Sequence, residues 1–227
     1  MRAFTCGENP SPRGFKYQHE GYGCKVLIDD KTHQFILSSI AGDGSLSLGN
    51  ALSKYPRLQF NMGNKKHAES KFKMLSKLGS VIKKRVNGGF GDYVYSVNTK
   101  SHPALVPYLK RFGQRKKNLD VIGSGLFEEL NGFGWANYFF DDGHLCKSSE
   151  VAFFHTECFS IDQVRHISQC LNNFIGYDCS KINSYVGGTK KRLMHSIRMN
   201  KNGTRKFMES VKENMVDGME YKELRNN

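Results

Sequence analysis

The stretches "QFILSSIAGDG" (residues 34–44) and "GWANYFFDDG" (residues 134–143) decide how this chain folds. Each is an apolar or small-sided run that closes on an acid followed by glycine. A carboxylate in the last turn of a helix lies against the negative end of the macrodipole, which costs roughly 0.3 to 1 kcal/mol at an exposed position. One Asp before a Gly is ordinary turn chemistry. Here the acid recurs, with Asp43 and Asp142 standing 99 residues apart, and the pairs Gly88-Gly89 and Gly187-Gly188 repeat at the same offset. If the two helices pack side by side, both acids arrive at one spot together with helix-end carbonyls. That makes an oxygen-rich, negatively charged cluster, which a hard divalent cation would stabilise. Ser38, Ser39, Ala41 and Gly42 give the first helix a low-profile side that permits close approach.

The elements around the two stretches run in the same order. In the first half, alternating "GSLSLG" and "RLQFNMG" precede a helical pattern in "HAESKFKMLSKLG", with Phe72, Leu75 and Leu78 on one face and Gly79 as its stop. Strand-like stretches flank Gly88-Gly89, and "HPALVPYLKRFG" reads as a closing helix. In the second half, strand-like "EVAFFHT" precedes "SIDQVRHISQCLNNF", capped by Ser160 and apolar along Val164, Ile167 and Leu171. "KINSYV" and "KRLMHSIRM" surround the second glycine pair, and "RKFMESVKENM" closes the unit. The order predicts an α+β fold made of two tandem modules: residues 31–118 and 119–227, joined near 113–125, behind an irregular Gly- and Pro-rich arm at 1–30.

With 227 residues and 38% apolar content the chain can build a real core. There are 34 Lys and Arg against 21 Asp and Glu, a formal charge of +13, so the expected partner is a polyanion. Ribosomal, nuclease and membrane-surface roles all pass that filter. No apolar run approaches the ~20 residues of a spanning helix, and the start lacks the apolar core of a secretory signal, so an intracellular, soluble protein is expected. The six cysteines include no Cys-x-x-Cys pair, which argues against a zinc ribbon or a redox motif. Cys6, His19 and Cys24 fit the spacing of no common metal site.

"ILSSIAGDG" and "WANYFFDDG" resemble the paired motifs of LAGLIDADG homing endonucleases, in the form where both copies lie in one chain that folds as a pseudo-symmetric monomer. Ile36, Ile40, Asp43 and Gly44 match the first motif; Ala136, Phe139, Asp141, Asp142 and Gly143 match the second. Asn137 and Asp141 stand where the motif has small residues, so the helix contact is expected to be asymmetric. The resemblance implies that the motif helices pack at the pseudo-twofold axis and that each half carries a curved antiparallel sheet that saddles DNA. It also implies that Asp43 and Asp142 bind Mg²⁺, with the carbonyls of Gly42 and Asp141 as helpers. Mn²⁺ would substitute, and Ca²⁺ would bind without efficient cleavage. The family's basic active-site residues would be Lys117, or its neighbour Lys116, in "QRKKN" and Lys222 in "MEYKEL".

The activity so implied is site-specific double-strand cleavage of a long DNA target, leaving short 3′ overhangs, in the compartment of the host gene. The strand patterns offer a reading face. Arg57, Gln59 and Asn61 alternate with Leu58, Phe60 and Met62; Lys181, Asn183 and Tyr185 share a side; so do Arg192, Ser196 and Arg198. Arg and Lys suit guanine edges, while Asn and Gln suit adenine. Lys83, Lys84 and Arg85, and Lys190 and Lys191 beside Arg192, form basic patches near turns that suit phosphates. Two alternatives stay open on the same scaffold: an RNA maturase that assists splicing of its own intron RNA, and a non-catalytic DNA-binding regulator.

Overall fold

The computed structural model describes residues 28–49, 53–86, 93–113, 119–189 and 191–222. Its architecture is built around two buried helices. The first, α1 (Asp30–Ala41), starts where the Asp29 side chain accepts the Thr32 N–H at 2.8 Å, and all its residues from Thr32 to Ala41 are buried. The second, α4 (Gly132–Asp142), starts where Asn131 accepts the Gly134 N–H at 3.0 Å, and buries Gly134 through Phe140. Helices buried nearly all round belong inside a protein, here against each other, although α1 carries Thr32, His33, Gln34, Ser38 and Ser39 among its buried residues.

Two glycines show how closely they approach. A Cβ on Gly134 would lie 2.5 Å from Gln34 Oε1, and one on Gly42 would lie 2.6 Å from Asp141 Oδ2. The N-terminal part of α1 therefore meets the N-terminal part of α4, and the C-terminal ends meet likewise. The helices run parallel, and both acid-bearing ends emerge together. At the opposite end Gln34 fastens the pair, its amide donating to the Glu129 carbonyl at 2.8 Å and its oxygen accepting the Asn131 N–H at 3.0 Å.

Each helix is followed by an antiparallel sheet of four described strands. The first contains β1 (Ser45–Ser47), β2 (Arg57–Met62), β3 (Val81–Val86) and β4 (Tyr93–Asn98), in the order β1-β2-β4-β3. The second contains β5 (Gly143–Cys146), β6 (Val151–Phe154), β7 (Ser180–Gly187) and β8 (Arg192–Met199), in the order β5-β6-β8-β7. The two orders correspond position for position, as a duplicated module requires. Helices α2 (Lys65–Met74) and α3 (Val106–Phe112) complete the first set, and α5 (Ile161–Ile175) and α6 (Lys201–Glu213) the second. On α5 the expected Ser160 cap forms a full capping box with Gln163, and Val164, Ile167 and Leu171 are buried.

Three details differ from the sequence reading. Helix α1 ends at Ala41, so Asp43 lies beyond the helix, whereas Asp142 is the last residue of α4. Strand β5 begins at Gly143, directly after α4; four residues carry too little alternation to mark a strand. The 3-10 turn Ser76–Leu78 follows α2 before the chain stops, as expected, on Gly79 at φ +66°. The arm, Gly88-Gly89 and Lys116 and Lys117 lie outside the described residues. Among those described, no helix is long and apolar enough to cross a membrane.

Candidate active site and nucleic-acid interface

At the paired helix ends, backbone closure handles α1. The Gly42 N–H donates to the Ser38 carbonyl at 2.9 Å and the Gly44 N–H to the Ser39 carbonyl at 2.7 Å, so the chain curls tightly and leaves Asp43 exposed. A side chain on Gly44 would meet the Ser39 carbonyl, which is why the motif closes on glycine.

At the end of α4 the carbonyls of Phe139, Phe140 and Gly143 all accept from the buried Lys222 ammonium, at 3.0, 2.7 and 2.8 Å. A cation at a helix C-terminus complements the macrodipole. Burial pulls the Lys222 pKa down to about 8, against the fields of Asp141, Asp142 and Asp43, which favour the charged form. The Lys222 bonds to the Phe140 and Gly143 carbonyls set it beside the Asp142 segment, and the Asp43 N–H reaches Asp141, so the sequence-predicted residues Asp43, Asp142 and Lys222 lie at the same pair of helix ends. Lys222 has its three N–H groups engaged by carbonyls, so it holds the helix end and supplies charge. It does not present a free ammonium to a phosphate.

Asp141, matched to the second motif as a helper, has a separate task. Its side chain is buried against α2 of the first half, where Lys71 Nζ lies 2.8 and 2.9 Å from its two oxygens. Oδ2 also accepts the Asp43 N–H at 3.3 Å, bridging the two motif ends. Lys71 is 1% exposed and lies over the rings of Phe35 and Phe60, with its charge 5.2 and 4.5 Å from their centroids. His67, one turn earlier on α2, has Nε2 3.7 Å from Asp141 Oδ1. Burial first, then the Lys71 charge, pushes its pKa down to about 4. Sequence reasoning missed Lys71 and His67. The available signal was position: Ala68 and Lys71 on α2 and Leu75 at its C-cap fall on one stripe, and both apolar members are buried.

The strand faces fall largely where alternation placed them. Leu58, Phe60 and Met62 are buried, leaving Arg57, Gln59 and Asn61 on the other face. Directly opposed residues share a face, so the pairings Gln59↔Asn98, Asn61↔Ser96 and Lys83↔Ser96 extend that face across the sheet to Lys83 and, two residues on, Arg85. Lys84 points the other way, with Nζ 3.3 Å from the Tyr93 ring centroid. In the second sheet the register pairs Lys181↔Arg198, Asn183↔Ser196 and Gly187↔Arg192, which joins these residues on one face. Ser196 is buried, which removes it from the exposed reading surface, and the Tyr185 hydroxyl donates to Glu157 at 2.6 Å. Lys191 is exposed in the turn between β7 and β8; Lys190 lies outside the described residues.

Two packed motif helices with their acids at one end, each leading into a four-stranded sheet, are the organisation expected from the motif resemblance. The sequence profile of the LAGLIDADG DNA endonuclease family matches residues 33–207. This chain belongs to that family.

The homing endonuclease I-WcaI, solved bound to its DNA recognition sequence, aligns with this LAGLIDADG chain over 92% of its residues and 96% of I-WcaI, at 19% identity and a TM-score of 0.73. Mesophilic variants of the homing endonuclease I-DmoI align over 81% of this chain and 96% of theirs, at 14% identity and a TM-score of 0.50. Full-length DUF199/WhiA from Thermatoga maritima aligns over 84% of this chain and 57% of its own, at 10% identity and a TM-score of 0.50. At these identities the likeness establishes the fold. No curated protein matches the chain in sequence.

Proposed function

We propose that this protein is a site-specific, divalent-metal-dependent DNA endonuclease that cuts both strands of a long target and leaves short 3′ overhangs. The observation that carries the reading is the convergence of Asp43, Asp141 and Asp142 on one helix-end cluster, with the Asp141 side chain already neutralised by Lys71. Asp43 and Asp142 are the acids at the two motif ends, and hard carboxylate and carbonyl oxygens suit Mg²⁺. Asp43 and Asp142 would be its ligands, helped by the carbonyls of Gly42 and Asp141. I-DmoI structures in complex with DNA and manganese, calcium or magnesium are consistent with a divalent ion; in this chain Mn²⁺ would substitute for Mg²⁺, and Ca²⁺ would bind without efficient cutting. When bound there, divalent metal acidifies water, takes charge from the phosphate oxygens and stabilises the departing 3′ oxygen.

The chain's own residues supply position and field. Lys222 anchors the end of α4 and offsets the carboxylates, and Lys117 would bring the corresponding charge from the first half. Residues 31–118 and 119–227 would act as the two half-site modules behind the arm at 1–30, so that one monomer addresses both strands. The faces carrying Arg57, Gln59, Asn61, Lys83, Arg85, Lys181, Asn183, Arg192 and Arg198 would enter the major groove, and Lys191 and Lys190 would touch phosphates. Steep weakening of binding with salt is then expected.

The test is incubation with Mg²⁺ and a plasmid carrying the uninterrupted host sequence, beside Asp43→Asn and Asp142→Asn. One defined cut is expected, abolished in both variants while DNA binding persists. Binding to DNA or intron RNA without any cutting would favour the regulator or maturase alternative instead.

A further inference from the structure

We propose that Glu128, His166 and Cys170 form a zinc site, separate from the motif aspartates and of different chemistry. His166 and Cys170 stand one turn apart on α5, so their side chains project from the same face. Glu128 reaches them from the turn-rich segment that leads into α4. His166 Nε2 lies 2.8 Å from Glu128 Oε1 and 3.7 Å from Cys170 Sγ, and the three ligand atoms all lie within 4.8 Å of one another.

A tetrahedral zinc with bonds of about 2.0 to 2.3 Å holds its ligand atoms roughly 3.3 to 3.8 Å apart. The His166–Cys170 spacing already meets that. The His166–Glu128 pair is tighter because a hydrogen bond joins it, and zinc would replace that proton after a small outward shift of an exposed carboxylate. Cys170 would bind as thiolate, its proton released to solvent. Cys170 is buried and Glu128 exposed, so the carboxylate side of the site is open to water. One sulfur, one imidazole and one carboxylate select a borderline-soft ion, whereas the motif cluster offers only oxygen and selects a hard one.

The site also has a structural task. The segment before α4 is already held from the first half, where Glu129 pairs with Arg111 and its carbonyl accepts from Gln34. From the second half, Gln163 on α5 donates to the Leu119 carbonyl at 3.0 Å. Zinc at Glu128 would add a metal bond from α5 to the same segment, fixing the approach to a motif helix. The competing account is a plain Glu128–His166 ion pair beside a packed thiol.

Full-length protein stripped with chelator and titrated with Co²⁺ separates the two accounts, because only thiolate-bound cobalt gives a strong near-ultraviolet charge-transfer band. One equivalent is expected to raise the band, Zn²⁺ to displace it, and Zn²⁺ to raise the melting temperature. Cys170→Ser and His166→Ala should abolish the band. Glu128→Gln, at an exposed position, should weaken zinc affinity by about tenfold or more without unfolding the chain. A joint Cys6→Ser/Cys24→Ser variant and Asp43→Asn should keep the band. A wild-type protein with no band, a band that survives Cys170→Ser, or one lost with Cys6 and Cys24 overturns the proposal.

Discussion

The C-terminal ends of α1 and α4 face the same electrostatic problem and solve it with different materials. At α1 the last carbonyls are closed by the chain's own N–H groups from Gly42 and Gly44, and the carboxylate of Asp43 is left in solvent. At α4 the Gly143 N–H closes the Phe139 carbonyl in the same way, but the carbonyls of Phe139, Phe140 and Gly143 also accept from a lysine of the C-terminal segment, and the extra acid, Asp141, is buried against a lysine from the other half. The backbone solution is local and written in a few residues. The side-chain solution is assembled from α2 and the C-terminal segment, so it exists only once both halves have docked. The difference teaches that pseudo-symmetry here is a property of the fold and the motif acids, not of the groups that support them.

The largest effect expected is from removing the charge that only the α4 end needs. Lys71→Met leaves the Asp141 carboxylate buried without its partner, which should cost about 3 to 5 kcal/mol in denaturant unfolding. Lys71→Met combined with Asp141→Ala should recover most of that loss, since a buried pair is worth little against an apolar replacement. A double variant as unstable as Lys71→Met alone would mean that the lysine is held for its packing on Phe35 and Phe60, and the asymmetry would be one of shape.

The motif acids should behave alike despite their unlike surroundings. Asp43→Asn and Asp142→Asn should each lower the cleavage rate by about a hundred- to a thousandfold, with binding retained and stability nearly unchanged. Unequal losses, measured as single-strand nicking of each strand, would show that the two ends serve separate strands unequally.

A pH prediction follows from His67, which faces Lys71, Asp141 and Lys222. Its folded value of about 4 lies below its ordinary 6.5. Between those values the unfolded chain holds a proton that the native state lacks, so stability falls as pH drops through this window. The accumulated loss is on the order of 3 kcal/mol at pH 4 and below. His67→Gln should flatten that part of the profile relative to wild type. An unchanged slope would place the acid sensitivity elsewhere.

How much of this was legible follows the same division. The fold could be read because the order of helices and strands repeats, and because Leu58, Phe60, Val164, Ile167 and Leu171 obey the periods of strand and helix. Asp43, Asp142 and Lys222 could be brought forward because each sits in a local motif. Lys71 could not be read as a single charge, because a lysine on a helix is ordinarily solvated. Its burial depends on a partner 70 residues away. Asp141 was the clue: an acid where the motif has a small residue must find a cation if it is buried. Lys84 and Ser196 show the limit of patterning from the other side, since a basic run names a patch but only the register assigns each residue to a face.

The smallest effect tests whether the asymmetry is confined to one end. Both helices start in the same way, with Asp29 and Asn131 each accepting one N–H of the first turn. Asp29→Ala and Asn131→Ala should therefore each cost about 1 kcal/mol and leave cleavage at the wild-type rate. Asp29 also pairs with Lys77 at the surface, but an exposed pair adds only a few tenths of a kcal/mol. Equal losses would leave the C-terminal ends as the place where the halves have diverged. A markedly larger loss at Asn131 would mean that the entry to α4, held by Gln34 and Glu129, has become specialised as well.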